Sequence, residues 1–315
     1  MGLTSFILPK VHTSEMIEPS IFGLLNLNKP RGRTSRWVVD QVKRLVRPAK
    51  VGHAGTLDPL ATGVLIVAVG PATRLVEYVR EAPKQYRAEF LLGRTSDTED
   101  TQGHVSELLA PRTPSRAEIE TTAARFVGEI HQRPPAFSAI KVSGKRAYAL
   151  ARKGQEVELE PRAVTIHRLN ILDYVYPRLT LDIECSSGTY VRSLGRDVAK
   201  ALGSGAVMSA LERTAIGEFH VAHSIDVALL SLENLREHLL PARLAVAHLP
   251  SVTLAESDAQ RIARGQSIDG RAALGAAPES REFAGFDGGG NLVGILTRRE
   301  GGLLGPALNL AAGAR

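Results

Sequence analysis

A chain of 315 residues with 43% hydrophobic and 23% charged side chains is long enough for two domains and too apolar to be mostly disordered. Its longest purely apolar run, residues 64–69, falls far short of the roughly 20 residues that a membrane-crossing helix needs, and a single cysteine, Cys185, with no CxxC pair, offers neither an internal disulfide nor a thiolate zinc site. The formal net charge of +6 points to a polyanionic partner, and the excess is local, since residues 26–50 hold eight basic side chains against Asp40 alone.

Residues 1–20 carry Glu15 and Glu18 and lack a basic start followed by a long apolar run. They are expected to form a flexible tail rather than a signal peptide, which places the protein in the cytoplasm. Phe22 to Asn28 reads as a short strand closed by Lys29-Pro30, because proline restricts the residue before it and donates no ladder hydrogen bond. Thr34 or Ser35 can cap a following helix, in which Val38, Val42 and Leu45 form the apolar stripe and Pro48 ends it, leaving much of the basic cluster on the solvated face. A glycine-rich loop over residues 52–63 then feeds a strand at 64–69 that reads as buried on both faces.

Residues 85–92 alternate, with Tyr86, Ala88, Phe90 and Leu92 on one face, and predict a half-buried strand. Residues 93–104 read as a polar loop. Ser115 with Glu118 forms a capping box ahead of a helix carrying Ile119, Ala123, Phe126 and Val127 and stopped by Gly128. From Arg133 to Arg162, seven basic residues stand against three acidic ones, interrupted by Pro134-Pro135 and Gly144, which suits an excursion from the core. Leu179, Leu181, Ile183 and Cys185 predict another strand. Ser186-Ser187-Gly188 turns the chain into a helix striped by Val191, Leu194, Val198 and Leu202 and ending near Gly203. Beyond about residue 248, short apolar runs and glycines predict a small neutral β-rich module.

The chemistry concentrates in Gly52-His53-Ala54-Gly55-Thr56-Leu57-Asp58-Pro59-Leu60-Ala61-Thr62-Gly63. Pro59 restricts Asp58 to an extended backbone and so fixes where its carboxylate points. The residues alone leave open whether Asp58 reacts or merely organises a turn, and whether His53 is structural. There is no GxxxxGK[ST] phosphate loop and no GxSxG nucleophile elbow. His220 and His223, three apart without a nearby carboxylate pair, make a poor metal site, so no metal is expected.

Taken together and in order, LNLNKPRGRTS, GHAGTLDPLATGVL, KQYRAEFLLG and CSSGTYVRSLGRDVAKALG resemble the bacterial TruB family of tRNA pseudouridine-55 synthases, over about residues 22–220. The segment PPAFSAIKVSGKRAYALAR resembles the RNA-gripping insertion of the bacterial enzymes, which their guide-RNA-dependent relatives generally lack. The resemblance implies an α/β (α+β) pseudouridine synthase domain over residues 21–247, with a mixed, largely antiparallel sheet, a central cleft and an RNA-binding insertion at about 131–163. A PUA-like RNA-binding domain would follow over 248–315. It implies no cofactor, no guide RNA and no membrane partner, with a monomer acting on the T-arm of tRNA. A tRNA-folding chaperone without chemistry and a guide-RNA-dependent pseudouridylase are the alternatives.

By the same resemblance, Asp58 matches the essential catalytic carboxylate and Arg192 the arginine that holds it bidentately in a site closed to water. Tyr86 matches the tyrosine that stacks on the target base and is placed to assist proton transfer. Read from its strand alone, Tyr86 is equally a core aromatic, and Arg192 equally a surface helix charge. Tyr190 and Leu211 match uracil-pocket positions and His53 a histidine near the flipped nucleotides. Lys29, with Pro30, matches a motif beside the cleft, with a packing or phosphate role.

Overall fold

The computed structural model describes residues 21–137, 141–142, 145–146 and 159–310. The N-terminal tail and most of the basic excursion lie outside the described residues. The chain opens with β1 (Gly23–Lys29) and α1 (Ser35–Leu45), capped by the Thr34 side chain accepting from the Trp37 amide. Then come β2 (Val51–His53), β3 (Thr62–Val69), α2 (Val76–Glu81) and β4 (Lys84–Leu92). The hairpin β5 (Arg94–Ser96) and β6 (Val105–Glu107), helix α3 (Arg116–Ala124) and strand β7 (Gly128–Gln132) follow. Two short paired strands, β8 (Lys141–Val142) and β9 (Lys145–Arg146), precede β10 (Arg162–Val175), β11 (Arg178–Cys185) and α4 (Val191–Ala201). After β12 (Ala206–Ile216) come the short β13 (Phe219–His220) and β14 (Ile225–Asp226).

One ten-stranded sheet organises this region in the order β14-β1-β3-β12-β4-β11-β10-β7, with β2 paired to β3 and β13 to β12. All pairings are antiparallel except β1 with β14 and the short β3–β12 contact, so the expected mixed, largely antiparallel sheet is what forms. The β3–β12 contact depends on a glycine. Gly63 faces Arg213 in register at φ +96°, and a Cβ there would stand 2.3 Å from the Arg213 carbonyl. Helix α4 makes a similar close approach, since a Cβ on Gly195 would lie 2.0 Å from the Phe90 ring. Gly195→Ala is therefore expected to destabilise the fold by about 3 kcal/mol or more through overpacking, read as a lower urea midpoint.

Several sequence expectations need correction. The loop over 52–63 is shorter than its glycines suggest, because residues 51–53 form β2, paired with 67–69, and β3 already begins at Thr62. Residues 93–104 are not all loop, since 94–96 pair with 105–107. Helix α3 stops at Ala124 rather than Gly128, and Val127 is exposed. Strand β10 escaped notice because register shifts between Ile166 and Arg168 and between Ile171 and Asp173 break its alternation.

The C-terminal part is β-rich as expected, although it also holds two short helices, α5 (Glu256–Ala263) and α6 (Arg271–Ala276). Strands β15 (Ser251–Thr253), β16 (Ile268–Asp269), β17 (Glu282–Phe286), β18 (Leu292–Arg299) and β19 (Leu303–Asn309) form a second sheet in the order β15-β17-β18-β19-β16. It does not stand apart from the large sheet. Ala284, Ile295 and Leu310 share one buried cluster with Leu24, Val64 and Ile66, and the Arg74 guanidinium donates to the Asn309 carbonyl. Among the described residues no helix is long and apolar enough to cross a membrane.

Candidate active site

A cavity of about 410 Å³ opens where the loop between β2 and β3 meets β4, β12 and the start of α4, and Asp58, Arg192, Tyr86, His53, Tyr190 and Leu211 all line it. Sequence positions 53 to 211 thus converge on one space. Lys29 does not. It is fully buried, and its Nζ donates to the carbonyls of Pro30 at 3.0 Å, Arg33 at 2.6 Å and Pro59 at 3.5 Å. These contacts pack Lys29 in place, tying the turn after β1 to the residue that follows Asp58. Burial brings the Lys29 ammonium down to about 8, with the Asp58 charge opposing the shift.

The Asp58 loop is braced from beneath. The Ser35 hydroxyl both donates to the Leu57 carbonyl at 3.2 Å and accepts from the Leu57 amide at 2.9 Å, and the Ala61 amide closes the turn on the Asp58 carbonyl at 3.0 Å. The carboxylate faces Arg192, whose Nε stands 3.1 Å from Asp58 Oδ2. The expected two-pronged grip does not form. Arg192 Nη1 donates to the Thr98 carbonyl at 2.7 Å and Nη2 to the Phe137 carbonyl at 3.2 Å, so both terminal nitrogens are already engaged. Nor is the pair closed to water, because the Asp58 side chain keeps 37% of its surface exposed while Arg192 keeps 8%. A surface role for Arg192 is excluded by that burial.

Sequence reasoning missed Asp100. It is 3% exposed, accepts from the Thr98 hydroxyl at 2.6 Å and the Gln102 amide at 3.0 Å, and places Oδ2 3.7 Å from Arg192 Nη1. The neighbouring Glu99, held at φ 63°, pairs with Arg196 and accepts from the Ser193 hydroxyl at 2.7 Å. The segment after β5 is thereby fastened to α4, and Arg192 sits between two carboxylates on separate elements. Gln132 on β7 fixes the start of that helix, accepting from the Tyr190 amide at 2.8 Å and donating to its carbonyl at 3.1 Å.

Tyr86 is both a core aromatic and a wall of the cavity, at 8% exposure, and burial raises its phenol above the ordinary value. Burial likewise lowers the His53 imidazole, which favours its neutral form. The lone Cys185 is buried with its thiol pushed up to about 11, chiefly by desolvation, so it holds its proton. His220 and His223 stand with ring centroids 6.3 Å apart, and no group of three or more metal-ligating side chains occurs among the described residues.

Lys84 also lines the cavity without having been foreseen. It is 5% exposed, donates from Nζ to the Arg80 carbonyl, and is brought to about 8 by burial first and by the Arg213 charge among the further causes. The folded chain releases this proton more readily than the unfolded chain. Its destabilising effect is therefore complete below pH 8 and lifts as pH rises toward the ordinary value of 10.5. Lys84→Met is expected to raise the urea midpoint near pH 7 and to lose most of that advantage as pH approaches 10.5, which paired denaturation curves would show.

The family model for the N-terminal domain of TruB family pseudouridylate synthases matches residues 43–191. The tRNA pseudouridine synthase B of Dehalococcoides mccartyi (strain CBDB1) is 44% identical over 250 residues, covering 78% of this chain and 83% of the relative. That of Clostridium kluyveri is 38% identical over 273 residues, covering 87% and 94%. Among solved structures, that of a Cbf5-Nop10-Gar1 complex superposes with a TM-score of 0.71 at 26% identity, over 92% of this chain and 85% of that one.

Proposed function

The chain belongs to the TruB family of pseudouridylate synthases, and from that membership we propose that it isomerises uridine 55 in the T-loop of tRNA to pseudouridine. It is an isomerase of the intramolecular transferase class. The observation that carries the reading is the convergence of Asp58, Arg192 and Tyr86 on one cavity.

The reaction breaks the C1′–N1 bond, turns the freed uracil and joins C5 to C1′, with no net redox change or hydrolysis, so it needs no cofactor. Chemistry on the base requires its extrusion from the RNA stack, which costs a few kcal/mol, and the cavity walls at Tyr86, Tyr190 and Leu211 offset part of that by stacking and apolar contact. Asp58 is the group that reacts, as a nucleophile or as a stabiliser of developing positive charge at the sugar. Arg192 aims it through the 3.1 Å contact of its Nε. His53 contacts the flipped nucleotides at the rim.

The exposed basic face around α1 carries Arg36, Lys43, Arg44 and Arg47 and is suited to tRNA phosphates, with the second sheet acting as a PUA-like module from about residue 248. Replacing those four residues by Gln is expected to weaken T-arm RNA binding and to flatten the slope of log affinity against log salt by roughly one per phosphate contact removed. The higher identity to proteins named tRNA pseudouridine synthase B than to the Cbf5 chain supports action without guide RNA; in the proposed reading the protein works as a monomer in the cytoplasm. Purified protein is expected to convert uridine 55 in a bare tRNA transcript, mapped by carbodiimide adducts and primer extension. Conversion that required an added RNA would favour a guided enzyme, and RNA refolding without conversion a chaperone.

A further inference from the structure

Arg213 is the bulkiest fully buried side chain among the described residues, at 2% exposure. Its Nε donates to the Val64 carbonyl at 2.8 Å and its Nη2 to the Gly55 carbonyl at 3.0 Å, one on each side of the loop that carries Asp58. Tyr86 is its register partner across the β4–β12 ladder, and both side chains line the cavity. Among the described residues no carboxylate pairs with it. A guanidinium buried without a carboxylate is an expensive way to fill space, and an aliphatic side chain would do so at lower cost.

The donor inventory gives the arrangement a direction. Arginine has five N–H donors and no acceptor, so in a hydrogen bond between the two side chains the Tyr86 oxygen accepts. The hydroxyl hydrogen is then directed elsewhere, and Tyr86 lines the open cavity. Two carbonyls fix the plane of the guanidinium, which fixes the direction of its bond to Tyr86.

We infer that Arg213 is a positioning residue for the isomerisation: it holds the Tyr86 hydroxyl as an acceptor, so that the hydroxyl hydrogen is presented into the cavity to an acceptor on the bound nucleotide. The inference rests on the proposed synthase function, and Arg213 acts in it through the Tyr86 hydroxyl rather than on the reacting atoms. Lysine lacks the planar fork, so it cannot reproduce the fixed directions from which the guanidinium reaches Val64, Gly55 and Tyr86.

The test is a double-mutant cycle of Arg213→Lys and Tyr86→Phe, reading single-turnover conversion and affinity for T-arm RNA. Arg213→Lys is expected to slow conversion about 100-fold, with affinity within about threefold of the parent. On the Tyr86→Phe background the same change is expected to cost less than about threefold, because the hydroxyl it acts through is gone. Losses that multiply, or a loss expressed as weaker RNA binding, would overturn the inference. So would a Tyr86→Phe protein that converts as fast as the parent, a result that stands even where Arg213→Lys fails to fold. A parent protein that converts no uridine would instead remove the proposed function itself.

Discussion

Asp58→Asn is expected to lower the single-turnover rate of uridine isomerisation by at least about 10⁴-fold, the scale seen when a group that reacts directly is removed. RNA affinity should stay within a few-fold of the parent. The substitution keeps the shape of the side chain, and the loop is held by contacts that do not involve the carboxylate: Ser35 on Leu57, Lys29 on Pro59 and Arg213 on Gly55. The loss should therefore fall on the chemical step. An Asp58→Asn protein with weakened binding and near-normal turnover would show Asp58 to be a turn residue.

Arg192→Lys is expected to cost about 10²–10³ in the same rate, comparable to deleting one preorganised donor from a reacting site. The reason is geometric. One guanidinium serves Asp58 through Nε, Thr98 and Phe137 through its terminal nitrogens, and Asp100 at 3.7 Å. An ammonium is a single point and cannot meet four partners on three segments. Arg192→Met goes further, because it leaves the buried Asp100 carboxylate without a cation, and about 3 kcal/mol of stability should be lost with it. Measuring the midpoint of urea denaturation beside the rate separates the two effects: the lysine variant should lose activity with little stability, the methionine variant both.

What was legible in the sequence follows from the range of the forces involved. α1, β4, β11 and α4 show plainly because each buries one face against the sheet, and burial writes a local period into the chain. Thr34 and the Ser115–Glu118 pair mark helix starts through hydrogen bonds made within three residues. β10 is hidden because its bulges shift the inward set of side chains from one face to the other. α3 ends early because, beyond Ala124, the chain turns to start β7 rather than continuing to Gly128.

The site divides in the same way. Asp58, Tyr86 and Arg192 stand in motifs whose order along the chain carries a family resemblance. Asp100 sits in the acidic stretch Thr98-Glu99-Asp100-Thr101, where nothing local separates a buried carboxylate from a solvated one. Its importance comes from an arginine 92 positions away in sequence. Arg213 offered one faint signal. It stands two residues after Leu211, a spacing that puts both on one face of a strand, and the structure shows both facing the cavity. For Lys29 the sequence left a packing and a phosphate role open, and its three carbonyl partners, which only the fold brings together, account for the packing one.

Moving a uracil from N1 to C5 attachment displaces the C5 hydrogen, which therefore reports directly on the reaction proposed for this cavity. T-arm RNA labelled with tritium at C5 of the single target uridine, incubated with the purified protein and no added RNA, should release one tritium to water per pseudouridine formed, and the Asp58→Asn protein should release none. Tritium retained by the parent protein, or released equally by Asp58→Asn, would contradict the account.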